Sequence, residues 1–172
     1  MLASVSRLLH ERGTAFALIG AGAMAIHGVS RSTSDLDLLV TDLRCLTDAY
    51  WSSTTDLAID IRRGDATDPL AGVVRVRARQ SEPLDIVVGR HAWQATAVAA
   101  ASPSEIAGVT VPVVRRRDLV LLKLYAGGPQ DAWDITQLLG VPDGASTVSE
   151  VDAAVESLPV DAQALWRRVR PA

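Results

Sequence analysis

An α+β fold, a mixed β-sheet packed by helices and followed by a C-terminal helical region, is what this 172-residue sequence predicts. Three observations carry it. Short apolar or alternating runs bounded by Gly, Pro or Asp recur from Thr14 to about Val114. Helical periodicity takes over at Arg115 and holds to the end. Hydrophobic residues reach 48% against 22% charged, enough to pack a core, and with only 4% aromatic that core must be Leu, Val, Ile and Ala. The length suits one domain, read as a 1–114 core and a 115–172 helical region packed on it as one unit.

Taken in order, "MLASVSRLLHERG" is an amphipathic helix ending at Gly13, and "TAFALIG" is a short buried strand. "AGAMAIHG" is a short helix, and "SDLDLLV" is a strand that begins by alternating charged and apolar residues. Thr41 can cap a helix from Asp42 to Trp51. "LAIDIRRGD", "VVRVRAR" and "PLDIVVG" read as strands, the second with one apolar and one Arg face, the third with Pro83 at its start. "AWQATAVAAA" is a helix, and "EIAGVTVPVV" is a hairpin or edge pair around Gly108. Beyond Arg115, "RDLVLLKLYAG" and "PQDAWDITQLLG" are helices separated by Gly127-Gly128, with Pro129 at the first helical position. Thr147 and Glu150 have the spacing of a capping box for a helix over "TVSEVDAAVESL", and "DAQALWRRVR" closes the chain.

Composition narrows the function classes. Arg7 and His10 interrupt the first helix too early for a secretory signal, and no apolar run approaches the ~18–20 residues of a membrane span. A soluble cytoplasmic protein without a membrane partner is expected. Cys45 is the single cysteine, which excludes a disulfide framework and a cysteine zinc site. A net charge of −3 argues against a general nucleic-acid binder, although Arg75, Arg77 and Arg79 form a row that is either a solvated strand face or a wall attracting phosphate.

The chemistry concentrates in "ALIGAGAMAIHGVSRSTSDLDLLV", residues 17–40. Gly20-Ala21-Gly22 lies between a strand and a helix, where free backbone N–H groups favour phosphate, or where Gly serves only close packing. Asp35 and Asp37 project from the same side of a strand, roughly 6–7 Å apart, where like charges repel. A divalent metal ion would offset that repulsion, and hard carboxylate oxygens suit Mg²⁺. An amphipathic strand turning its acids to solvent fits the same spacing. Asp85, inside the apolar run "PLDIVV", is costly unless exposed, paired or metal-bound.

The run of residues 18–40, hydrophobic-Gly-Ala-Gly, spacer, Asp-hydrophobic-Asp-hydrophobic, resembles the signature of the nucleotidyltransferase superfamily typified by DNA polymerase beta. The "HG" followed by Arg31-x-Thr33-x-Asp35-x-Asp37 is similar to the bacterial branch that includes AbiEii-type toxins, as is "DLVLLKLYAGGPQDAWDITQLL". The resemblance implies a nucleotidyltransferase fold and transfer of NMP from an NTP to an RNA or tRNA end or a protein hydroxyl, in a toxin–antitoxin or phage-defence setting. It implies that Asp35, Asp37 and Asp85 are the catalytic, metal-binding acids for Mg²⁺ or Mn²⁺, Asp85 also being the candidate base. Gly20, Ala21, Gly22, Arg31, Thr33, Lys123 and Asp131 become the nucleotide-binding set, with Lys123 as a point charge for the triphosphate and Asp131 facing the cleft. A cognate antitoxin or toxin becomes a candidate partner. Ala21 stands where the family has a second Gly or Ser, and Gln130 where a basic residue is frequent. Those two departures keep open an alternative, a catalytically silent nucleotide-binding or antitoxin-like module of the same fold.

Overall fold

The computed structural model describes residues 1–30, 36–79, 81–142 and 144–171. Arg31, Thr33 and Asp35, three of the expected site residues, lie outside them. The chain divides into two compact units, Met1–Ala23 with Ser32–Val114, and Met24–Arg31 with Arg115–Ala172. Among the described residues no helix is long and apolar enough to cross a membrane.

The first unit is built on one seven-stranded mixed sheet. Its strands are β1 (Phe16–Ile19), β2 (Leu36–Val40), β3 (Ala58–Arg63), β4 (Gly72–Arg77), β5 (Leu84–Val88), β6 (Ser102–Ile106) and β7 (Val109–Val113). Their order across the sheet is β3-β4-β5-β2-β1-β7-β6. The central strand β2 runs antiparallel to β1 and parallel to β5. Its apolar end, Leu38, Leu39 and Val40, is fully buried, as are Val74, Val76, Leu84, Ile86 and Val88 of β4 and β5. Two-residue alternation therefore leaves the intervening Arg75 and Asp85 on the opposite, polar face.

The helix α1 (Leu2–Glu11) packs on β7, and α4 (Ala92–Ala99) packs on β1 and β2. The β6–β7 connection is a two-residue turn in which Ala107 and Gly108 both have positive φ, 50° and 74°, the twist a tight hairpin demands. The expected helix from Asp42 to Trp51 is instead a 3₁₀ turn over Leu43–Leu46 followed by a short α3 over Asp48–Trp51. Local side-chain bonds explain the break. Asp42 accepts from the Arg44 backbone N–H, Thr47 adopts extended φ/ψ, and its hydroxyl donates to the Arg44 carbonyl at 2.8 Å.

The second unit contains α5 (Arg116–Ala126), α6 (Pro129–Gly140), α7 (Gly144–Asp152) and α8 (Val160–Val169), with the other three packed against α5. Leu119, Val120, Leu124, Ile135, Leu138 and Val151 supply its buried apolar stripe. The helix expected to start at Thr147 begins at Gly144, so Thr147 is a buried interior residue and no cap. Trp133 is 49% exposed, whereas Trp166 is buried and donates from Nε1 to Asp152 at 2.8 Å.

Two carboxylates tie stability to pH. Asp42 accepts from the Arg44 guanidinium and from the Thr14 hydroxyl at 2.8 Å, and the Arg44 hydrogen bond holds its pKa at about 2. Hydrogen bonds from Arg170 and then Trp166 hold Asp152 at about 2 as well. Both folded values lie below that of an unfolded Asp, ~3.9. Their stabilisation is therefore present in full above about pH 4 and is lost as pH falls from there through about 2. Asp42→Asn should lower the melting temperature at pH 7 and flatten its decline between pH 4 and 2. Thermal melts across that range measure both.

Candidate active site

The polar face of the sheet carries a cross-strand row of charged residues. Asp60 of β3 is the register partner of Arg75, Arg75 of Asp85, and Asp85 of Asp37; Ile19, the last residue of β1, lies opposite Asp37. Parallel in-register pairing puts Asp37 and Asp85 on one face of neighbouring strands, whose backbones run ~4.8 Å apart. Both are partly exposed.

Asp37 is also fixed from the β1 side. The chain leaves β1 at Gly20, whose φ is +62°, and a Cβ there would overlap the Asp37 carboxylate. Gly is thus required twice at this position, for the left-handed backbone and for the close approach of Asp37. Gly20 opens the short helix α2 (Gly20–Ile26). Gly22 differs: a Cβ there would lie 3.2 Å from the side chains of Leu18 and Leu36, so its absence serves tight packing of α2 on β1 and β2. Ala21, between them, is partly exposed.

Asp85, expected as a metal ligand and base, is gripped by Arg75. The guanidinium donates from Nε to one carboxylate oxygen at 2.8 Å and from an Nη to the other at 2.6 Å, the bidentate fork that matches carboxylate geometry. Arg75, read from sequence as part of a wall or a solvated face, is thus a partner within the site. The signal was present. Arg75, in the alternating strand β4, and Asp85, the one charged residue of β5, fall opposite one another in register. A groove of about 410 Å³ opens beside the pair, lined also by Asp60, Arg62, Arg63 and Leu70. Among the described residues no group of three His, Cys, Asp or Glu side chains is placed to hold a metal ion, and Asp35 lies outside that set.

In the second unit Lys123 of α5 is held by two acids of α6. Its Nζ donates to Asp131 at 3.0 Å and to Asp134 at 2.5 Å. Asp131 also accepts from the Gly128 backbone N–H at 3.1 Å, securing the start of α6. The Lys123 and Asp134 side chains are 12% and 0% exposed, so this is a buried ion cluster joining two helices. Asp134, three residues after Asp131 on the same helix, is the more buried of the two acids.

No family model and no curated relative matches the sequence. In structure the chain is similar to the antibiotic-resistance factor ANT(2'')-Ia, in its crystal form with adenylyl-2''-tobramycin, at 17% identity and a TM-score of 0.51, over 98% of this chain and 94% of that one. It is similar also to an antigenic nucleotidyltransferase-like protein from Paracoccidioides brasiliensis, at 12% identity and a TM-score of 0.50, over 97% of this chain and 84% of that one. At such identities the likeness is one of fold. The chain has the nucleotidyltransferase fold, in the α+β class expected from its sequence.

Substitutions at Gly20, Gly22 and Lys123 test these placements. Gly20→Ala should destabilise by about 1–2 kcal/mol for the left-handed backbone alone, with more for displacing Asp37. Gly22→Ala should cost less, because leucine side chains can shift by a few tenths of an ångström. Denaturant melts of both variants establish the order. Lys123→Met leaves Asp134 buried without its cation and should cost about 3–5 kcal/mol. Lys123→Met/Asp134→Leu should recover part of that loss in the same assay.

Proposed function

We propose that the chain is a divalent-metal-dependent nucleotidyltransferase, moving NMP from an NTP to a hydroxyl acceptor. The observation that carries the reading is the in-register placement of Asp37 and Asp85 on one sheet face, with Gly20 cleared for the Asp37 carboxylate. The nucleotidyltransferase fold supports it.

The donor chemistry fits the metal that the reaction class requires. Asp37 and Asp85 offer hard carboxylate oxygens from adjacent strands, and Asp35 adds a third on the sequence pattern, a set suited to Mg²⁺ or Mn²⁺. A bound ion supplies positive charge to the phosphoryl oxygens and acidifies the attacking hydroxyl. In the transfer, a bond forms between the acceptor oxygen and the α-phosphorus while the bond to pyrophosphate breaks. The acceptor proton passes to a carboxylate oxygen of Asp85, the role that the resemblance gives it. Asp37 lies close against Gly20, which would confine its carboxylate on that side before substrate arrives.

Backbone at Gly20, Ala21 and Gly22 is proposed to meet the phosphate tail. Arg31, Thr33, Lys123 and Asp131 join the nucleotide-binding set from the resemblance alone. The acceptor proposed is an RNA end or a protein hydroxyl, and the toxin–antitoxin setting likewise rests on the resemblance. One observation favours a second reading, a nucleotide-binding module without turnover: the Arg75 fork covers both oxygens of Asp85.

The experiment incubates the protein with each labelled NTP, Mg²⁺ or Mn²⁺, and total cellular RNA or protein. The proposal expects label in one acceptor pool and a loss of roughly 100-fold or more in Asp37→Asn, the scale of removing a group that stabilises developing charge. A parent protein that binds NTP yet labels neither pool with either metal would replace the transferase with the binding module.

A further inference from the structure

Arg75 stands between two acids. Asp85 on β5 and Asp60 on β3 are both its register partners, on the same face of the sheet. It grips Asp85 with both arms of its fork, while Asp60 is met by Arg62 at 3.4 Å and Arg77 at 4.0 Å. We infer that Arg75 and a divalent cation compete for the Asp85 carboxylate, and that Asp60 receives Arg75 when the cation wins. The inference rests on the metal role proposed for Asp37 and Asp85.

Electrostatics and geometry support the exchange. A bidentate guanidinium covers both oxygens and brings a full positive charge to the carboxylate, so a divalent ion at the same oxygens meets like-charge repulsion. The Arg75 side chain is 42% exposed and borders the groove that Asp60 also lines, so its head can turn without opening the core. The Asp60 side chain is 38% exposed, and its contacts with Arg62 and Arg77 are long surface pairs of the kind that contribute little. Asp60 can therefore take a third guanidinium at small cost. In this arrangement Arg75 sets the cation affinity of the site and keeps Asp85 from standing as an uncompensated charge beside Asp37.

The test uses Mn²⁺ alone and measures free ion by its electron paramagnetic resonance signal, with no nucleotide and no turnover. Arg75→Gln should tighten Mn²⁺ binding roughly 5-fold, the scale of one partly exposed ion pair. Arg75→Lys, which keeps the charge and loses the fork, should fall between Gln and the parent, and it serves if the Gln variant does not fold. Asp60→Asn removes the receiving acid and should weaken binding by a few-fold. If Arg75→Gln or Arg75→Lys binds Mn²⁺ no tighter than the parent while Asp37→Asn abolishes binding, the competition is wrong and the metal site stands. If neither the parent nor any folded Arg75 variant binds Mn²⁺ in an Asp37-dependent way, both the competition and the metal reading fall.

Discussion

Everything at the candidate site depends on the register of β2. This strand is the middle one of seven, hydrogen-bonded to β1 on one side and β5 on the other. Side chains alternate faces along a strand, so a slip of one residue would turn Asp37 into the packed layer and Leu38 out of it. Leu38 and its cross-strand partners Leu18 and Ile86 have no exposed surface. Burying a Leu or Ile side chain contributes ~1.5–3 kcal/mol, and an unpaired carboxylate in its place would cost more than that. Hydrophobic burial thus positions the acids, although none of the atoms that supply it carries charge.

Given that register, the polar face must manage its own electrostatics. Reading across, Asp60, Arg75, Asp85 and Asp37 place three acids and one base on neighbouring strands. Arg75 offsets the charge of Asp85 directly. Asp37 lies close against the Gly20 backbone, where only a residue without a Cβ leaves room for its carboxylate. The group that grips Asp85 is thus a partly exposed side chain, whereas the neighbour that crowds Asp37 is backbone. That difference is the basis for assigning Asp85 the exchangeable role and Asp37 the constant one.

Much of this was legible in the sequence. Strand runs such as "FALI", "LDLLV" and "LDIVV" declare themselves through apolar residues between turn signals, and the odd acid in the last two marks the polar face. The strand order is another matter. Bringing β5 beside β2 across the intervening β3–β4 hairpin is a long-range pairing that no local pattern encodes. The Arg75–Asp85 fork went unread for a different reason, since it needs the register of the β4–β5 hairpin as well as the two strand runs. Local competition accounts for the other misses. Asp42 and Thr47 have side chains that bond nearby backbone, which split an expected helix in two. The Thr147–Glu150 spacing mimicked a cap inside a helix that had already begun. The ion pairs of Lys123 with Asp131 and Asp134 were not read from the sequence, because they depend on how α5 packs on the following helix.

The central claim is that Asp37 and Asp85 together hold a divalent cation. The most direct measurement is an anomalous difference map from crystals grown with Mn²⁺ and a non-hydrolysable NTP analogue. The account predicts a manganese peak bonded to carboxylate oxygens of both Asp37 and Asp85, with Arg75 turned toward Asp60. Manganese bound elsewhere, or a nucleotide seated with the Arg75 fork still closed on Asp85 and no ion beside Asp37, would contradict it.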